Sequence, residues 1–291
     1  MQITVEITSE MIKEIFPPRR KSSHKGDNGV VLVVGGSRIY HGAPIFSALG
    51  AYRAGVDLVY LAVPEKISTP IRAYSPSFIV FPLPDVKLTE GCVNKIVRNI
   101  EKGKIRANSA IIGPGLAGHE KTIGLLAYKL SNLGIRLVID ASALRSEVIR
   151  MIRNREVVIT PHEGEFLRVF GEKLERELEK RAEKVKKFAN DYGVVILLKG
   201  PTDVISDGKE VYFNKTGTAG MTVGGTGDVL SGLVAGFMAR GLKPLDAAIV
   251  AAYINGLAGE RATDKYGFHF LTEEMIKELC TIMKEYDRIV D

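Results

Sequence analysis

The chain has 291 residues, 45% of them hydrophobic and 25% charged, with no Trp and a formal charge of +6 from 40 Lys+Arg against 34 Asp+Glu. So mild an excess favours small anions over nucleic acid, since no basic block interleaves with aromatics and the densest run, K-R-A-E-K-V-K-K, is broken by an acid. Two cysteines, Cys92 and Cys280, make neither a disulfide framework nor a metal-ligand spacing and are read as small buried hydrophobes.

The N-terminus, M-Q-I-T-V-E-I-T-S-E, carries no signal-peptide pattern, and no apolar run approaches the roughly 20 residues a membrane helix needs. The expectation is a cytoplasmic protein with no membrane contact. Short β-branched runs then recur at 30–34, 57–63, 78–81, 110–113, 136–140, 156–160 and 194–199. Continuous rather than alternating hydrophobicity predicts strands covered on both faces, as in a parallel sheet. Helical periods lie between them, at 43–54, 120–133 and 172–189; in the last, Leu174, Leu178, Ala182 and Val185 keep an apolar stripe under a charged face.

Beyond residue 200, D-V-I-S and K-E-V-Y-F flank Asp207-Gly208 and predict a hairpin with a type I′ turn. Helices are expected at about 228–240, 244–262 and 272–287. No linker, repeat or low-complexity tract interrupts the chain, so 1–291 is read as a single domain. Alternating β and α segments with an antiparallel edge hairpin predict an α/β fold, a three-layer α/β/α sandwich around a mostly parallel sheet.

In such sheets ligands bind outside the carboxyl ends of the strands. Gly35 to Pro44 follows the first run, and G-P-G-L-A-G from Gly113 follows the fourth. Asp140 ends the fifth, as an N-cap or a polar site residue, the cap being preferred on local grounds. P-H-E-G-E-F, Pro161 to Phe166, opens a helix; Glu163 and Glu165 suit its positive end, and His162 could bond or stack on a flat ligand. Lys199-Gly200-Pro201-Thr202-Asp203 follows the seventh run, where the lysine could hold a phosphate or reach solvent.

The most demanding stretch is T-V-G-G-T-G-D-V-L-S-G, Thr222 to Gly232. It lacks the lysine of a P-loop and has the wrong spacing for a dinucleotide fingerprint. Asp228 could cap the helix that follows, but a cap does not explain Gly224, Gly225 and Gly227. Amides of Gly225, Thr226 and Gly227 at a helix N-terminus would gather an anion, an anion hole for phosphate. A carboxylate placed beside that phosphate suits a base that takes a proton from an attacking hydroxyl.

G-G-T-G-D before a helix resembles the anion-hole signature of ribokinase-like proteins. With H-K-G-D-N-G-V-V-L-V-V-G-G-S, Y-H-G-A-P, G-P-G-L, I-D-A-S-A-L, T-P-H-E-G-E, L-K-G and G-M-T-V-G-G-T-G-D-V-L-S-G in order, the chain resembles the ADP-dependent NAD(P)H-hydrate dehydratases from about His24 to about Gly259. The resemblance implies a ribokinase-like fold and repair of hydrated NADH or NADPH at the expense of ADP or ATP, with Mg²⁺. It implies substrate contacts at Ala43, Gly115, His162 and Asp228, and nucleotide contacts at Lys199, Gly200, Pro201, Thr202, Asp203 and Gly227. Asp228 would be catalytic; no metal-ligating residue is assigned. It also implies a homo-oligomer, with a tetramer possible, and an epimerase on a separate chain.

Two segments depart from the family pattern: N-K-T-G-T-A-G-M stands where N-P-T-G-N-P-G-M is expected, and Glu163 where Pro or Ala is expected. Two rival readings remain, a small-molecule kinase of the same architecture and a nucleotide-binding regulator without catalysis.

Overall fold

The computed structural model describes residues 4–291. In chain order the first elements are β1 (Thr4–Glu6), α1 (Ser9–Ile15), β2 (Arg19–Arg20), β3 (Val30–Val34), α2 (Ala43–Arg53), β4 (Leu58–Pro64), α3 (Glu65–Tyr74), β5 (Ile79–Leu83) and α4 (Glu90–Glu101). The middle of the chain forms β6 (Ser109–Ile112), α5 (Glu120–Asn132), β7 (Arg136–Ile139), α6 (Ser146–Met151), β8 (Val157–Ile159), α7 (Glu163–Phe170), α8 (Leu178–Tyr192) and β9 (Val195–Leu198). The rest forms β10 (Asp203–Ser206), β11 (Val211–Asn214), α9 (Thr226–Ala239), α10 (Pro244–Tyr266), α11 (Thr272–Lys284) and β12 (Ile289–Val290).

Ten strands make one sheet in the order β1-β11-β10-β9-β8-β7-β6-β3-β4-β5, parallel except where β10 pairs with β9 and β11. Alternate strand residues face opposite layers, so each run feeds two cores. Val31, Val33, Ile111 and Val138 pack under α2, α9, α10 and α11; Leu32, Val34, Ile112 and Ile139 pack under α4 to α8. The expected three-layer α/β/α sandwich is the observed one. Among the described residues no helix is long and apolar enough to cross a membrane.

Local details differ from expectation, each for a physical reason. The hairpin strands β10 and β11 are antiparallel, but the outermost strand is β1, which pairs in parallel with β11. Three residues of T-V-E are too short a run to read from the sequence. Asp207-Gly208 is not a two-residue type I′ turn, because Ser206 pairs with Val211 and a four-residue loop intervenes. There only Gly208 has a positive φ, while the Asp207 carboxylate accepts the amides of Lys209 at 2.8 Å and Glu210 at 3.0 Å.

The helix expected at 172–189 begins only at Leu178 and runs to Tyr192, with Gly171 ending α7 in the left-handed region just before it. Leu174 is buried from the intervening loop. Of the two cysteines, Cys92 is buried as expected but Cys280 is exposed, since it falls on the outer face of α11.

Helices α2 and α9 approach backbone to backbone. A Cβ on Gly50 would sit 2.3 Å from the Val229 carbonyl oxygen, and one on Gly232 would sit 2.2 Å from that of Ser47. This contact seats the N-terminus of α9 against the first helix after β3. Gly232→Ala is expected to lower stability by about 1–3 kcal/mol through overpacking, seen as a drop in thermal midpoint. Gly91→Ala, where the new Cβ meets only an ordinary 3.6 Å contact with Thr89, serves as the neutral control. Equal midpoints for the two variants would contradict this account of the helix pair.

Candidate active site

The N-terminus of α9 is built by the loop before it. Gly225 is the N-cap, at φ 108° and ψ −20°, and a Cβ there would also strike the Phe46 ring at 2.6 Å. Its glycine is therefore demanded by backbone conformation and by Phe46, before any ligand is considered. Gly227 differs: the nearest atom to an added Cβ is Lys199 Nζ at 3.5 Å, so the protein itself would tolerate one. The Thr226 hydroxyl donates to the Met221 carbonyl at 2.8 Å, tying helix to loop.

The helix opens two residues earlier than expected, and Asp228 is its third residue rather than its cap. The first amide with a helical acceptor is that of Val229, bonded to the Gly225 carbonyl at 3.0 Å. The amides of Thr226, Gly227 and Asp228 are thus the free donors of a helix start.

Beside this terminus lies a cluster of charge drawn from three strand ends. Lys199 follows β9, Asp140 follows β7, and Glu165 lies in the first turn of α7 after β8. Lys199 Nζ is 3.2 Å from Asp140 Oδ1 and 3.6 Å from Glu165 Oε2. Asp140 is 2% exposed and its side chain caps nothing, so the N-cap preference for it is replaced by a salt bridge. Its position depends on Gly113, where a Cβ would fall 1.8 Å from the Asp140 carbonyl oxygen.

The energetics follow from three carboxylates sharing one ammonium. Burial, then the charge of Asp140 and, less strongly, of Glu165, push Asp228 up to about 8, against the opposing pull of Lys199. Burial alone would lower the Lys199 amine, but Asp140 and Glu165 more than offset it, and it is held above its ordinary value. Burial likewise pushes Asp203 up to about 6, although its carboxylate accepts the Gly200 amide and the Asn214 side-chain amide, each at 3.0 Å.

His162 is the N-cap of α7. Its Nδ1 accepts the Gly164 amide at 3.0 Å and the Glu165 amide at 3.3 Å, while Glu165 Oε2 accepts the His162 amide at 3.0 Å in a reciprocal capping box. With Nδ1 accepting, Nε2 carries the proton. The same residue therefore has a structural task that the sequence did not reveal.

Two cavities meet at this point. One, of about 890 Å³, is lined by Lys199, Gly200, Pro201, Asp203, Thr226 and Gly227, and His162 also opens onto it. The other, of about 710 Å³, is lined by Ala43, Gly115 and Asp228, with Tyr40 and Glu165 among its walls. The structure so separates the residues named by motif into two groups, with His162 on the Lys199 side rather than beside Ala43. Thr202 and Gly225 line neither cavity. Gly115 has φ 63° and a Cβ there would lie 2.5 Å from the Tyr40 carbonyl oxygen, which explains that glycine by packing.

Sequence reasoning missed Asn255, which lines the larger cavity from α10 with its side-chain oxygen buried and unpaired. It also missed Arg145 and Arg168 in the smaller one. Arg145 stands directly after the quoted I-D-A-S-A-L, and that adjacency was the available signal. Asn255 sits mid-helix with no local mark.

Comparison with known proteins places these features. The profile of the NAD(P)H-hydrate dehydratase family matches residues 31–281. A protein of Cenarchaeum symbiosum named ADP-dependent (S)-NAD(P)H-hydrate dehydratase is 48% identical over 97% of this chain and 98% of its own length. The crystal structure of the ADP/ATP-dependent NAD(P)H-hydrate dehydratase of Bacillus subtilis, co-crystallised with ATP and Mg²⁺, superimposes with a TM-score of 0.84 at 28% identity, covering 97% of this chain and 99% of that one. A ribokinase-like superfamily protein from Enterococcus faecalis gives a TM-score of 0.80 at 26% identity, over 98% and 96%.

The raised Asp228 has a signed consequence for stability. Between about pH 4, where an unfolded carboxylate ionises, and about pH 8, where the folded one does, the native state holds a proton the unfolded state has lost. This group therefore destabilises the fold progressively as pH rises through that window. Asp228→Asn removes the effect, so its thermal midpoint is expected to exceed that of the unaltered protein by an amount that grows from pH 4 to pH 8. A difference that stays constant with pH would refute the burial of this charge.

Proposed function

The chain belongs to the NAD(P)H-hydrate dehydratase family, of ribokinase-like fold. From that premise we propose that it uses ADP to dehydrate the S epimer of hydrated NADH or NADPH, releasing the reduced cofactor, AMP and phosphate. The observation that carries this reading is the placing of Gly227 on one cavity and Asp228, its chain neighbour, on the other. One turn of helix then faces a nucleotide phosphate with amides and a substrate hydroxyl with a carboxylate.

Lys199, Gly200, Pro201, Thr202, Asp203 and Gly227 are assigned to the nucleotide, and Ala43, Gly115 and Asp228 to the hydrated cofactor. His162 opens onto the nucleotide cavity while Glu165, bonded to its amide, opens onto the other, so it stands in the wall between the ligands. The anion hole is Gly225, Thr226 and Gly227, with the free amides at its helical end doing the binding and Gly225 setting the turn.

In the reaction Asp228 takes the proton of the ring hydroxyl, and the oxygen attacks the terminal phosphorus of ADP as AMP leaves. Amides at the start of α9 and the Lys199 ammonium offset charge that develops on the transferred group. Phosphate then departs from the ring carbon, pushed by the nitrogen lone pair, and loss of a proton from the adjacent carbon restores the double bond. A carboxyl raised to about 8 is a stronger base than an ordinary one once ionised, which suits the first step.

Among the described residues no three acidic, histidine or cysteine side chains converge to hold a metal unaided. Mg²⁺ retains several waters and takes one or two carboxylates together with substrate phosphates, so it would come to this site as a companion of the nucleotide. It would neutralise phosphate charge.

We take the chain as one domain over 1–291, since both cores share a single sheet. We propose a cytoplasmic homo-oligomer, as membership of this family implies.

The decisive experiment incubates the protein with hydrated NADH and ADP, following recovery of reduced-nicotinamide absorbance and free phosphate together. Both should rise in step; a stable phosphorylated product would instead identify a kinase, and no turnover a regulator. Asp228→Asn is expected to lower turnover by a factor of about 10²–10⁴ or more, while ADP binding measured by calorimetry is largely kept. A near-normal rate would remove Asp228 from the mechanism.

A further inference from the structure

The smaller cavity is richer in positive charge than the chemistry at Asp228 explains. Arg38, Lys87, Arg145 and Arg168 all open onto it. Arg38 and Lys87 are exposed, and their charges are screened by solvent. Arg168 is already engaged: Nε donates to the Leu144 carbonyl at 3.0 Å, Nη2 donates to that of Ala141 at 2.8 Å, and Glu165 Oε1 lies 3.7 Å away. It holds Ala141, whose φ of 51° is one of two left-handed values among the described non-glycine residues.

Arg145 is the exception. It is half-buried at the start of α6, and among the described residues no hydrogen bond or ion pair engages its guanidinium. It lines the same cavity as Arg168, and its charge, after burial, lowers the pKa of that second guanidinium. Two guanidiniums sharing one concave wall repel, and an anion bound in the cavity relieves that repulsion. The fold gains nothing visible from Arg145, whereas a bound phosphate would gain a planar, two-pronged donor.

The dinucleotide substrate of the dehydratase reading, on which this step rests, is itself such an anion. ADP has its own donors on the far side of the wall, the α9 amides and Lys199, and leaves Arg145 free for the second phosphorylated ligand. We propose that Arg145, backed by Arg168, is the phosphate clasp for the hydrated cofactor, holding the dinucleotide by a phosphate while its ring lies at Asp228. Either the pyrophosphate bridge or the 2′-phosphate of the NADPH form supplies that group.

The test compares the unaltered protein with Arg145→Gln and Arg145→Lys at saturating ADP, varying hydrated NADH and hydrated NADPH separately. Arg145→Gln should raise the KM for the hydrated cofactor about tenfold or more, as expected on losing a charge-assisted hydrogen bond. The KM for ADP and kcat should hold within about twofold, the thermal midpoint should be unchanged or higher, and Arg145→Lys should recover part of the loss. A rise for both hydrates assigns the pyrophosphate, and a rise confined to hydrated NADPH assigns the 2′-phosphate. Unchanged KM for both, or a fall in kcat alone, overturns the clasp.

If the unaltered protein turns over neither hydrate, the dehydratase reading fails instead. The clasp is then judged by titrating NADPH itself and following nicotinamide fluorescence: weaker binding to Arg145→Gln upholds it, and equal binding overturns it.

Discussion

One half-buried ammonium organises this site. Lys199 ends β9, and the carboxylates it faces arrive from β7 and from the start of α7, so three neighbouring parallel strands terminate on a single charge. Isolated, a lysine in that position would have its charged form disfavoured by desolvation. Together, ammonium and carboxylates remain as a compact ionic knot, while Asp228, from the other side of the sheet, receives the excess negative potential. Removing one member would leave its partners buried and uncompensated, which is far more damaging than the pair is stabilising. Position, charge state and reactivity are thus set by one set of interactions.

Backbone packing supplies the rest of the precision. Gly113 lets the Asp140 carbonyl approach, and the α2–α9 contact through Gly50 and Gly232 holds the donor end of α9. These contacts involve main-chain atoms, which have fewer ways to relax than side chains. The loop before α9 is fastened separately: the Thr218 and Thr263 hydroxyls lie 2.8 Å apart, and the Thr272 hydroxyl donates to the Gly224 carbonyl at 2.9 Å. At one of the three positions where this loop departs from the family pattern, Lys215 pairs with Glu6 of β1 at 2.5 Å, joining the segment to the sheet edge.

Much of this architecture was legible because parallel strands covered on both faces leave an unmistakable pattern. V-V-L-V-V at 30–34 and D-V-I-S at 203–206 are found where they were read. What escaped was short or encoded in shape: the three residues of β1, the four-residue loop at 207–210, and the break between α7 and α8. At the site, the motifs located the right loops but not the division of labour among them. Gly225 and Gly115 read as ligand-facing, yet their glycines answer to Phe46 and to the Tyr40 carbonyl, partners remote in sequence. His162 could not be known as a helix cap, since that role depends on geometry within its own turn. Arg145 and Asn255 carry no motif and become visible only once strand ends and helices are assembled around a cavity.

Because Gly227 and Asp228 are joined by a single peptide, the two residues that open onto the two cavities are held by covalent geometry about 3.8 Å apart from one Cα to the next. Walls built from separate elements can breathe; a ruler made of one peptide unit cannot stretch. The backbone amide of the one and the carboxylate-bearing Cα of the other would therefore keep their spacing even while loops on either side open and close. Direct transfer between two ligands held at once needs no covalent relay on the protein, and such a ruler is the kind of part that makes a sequential, ternary-complex route sufficient.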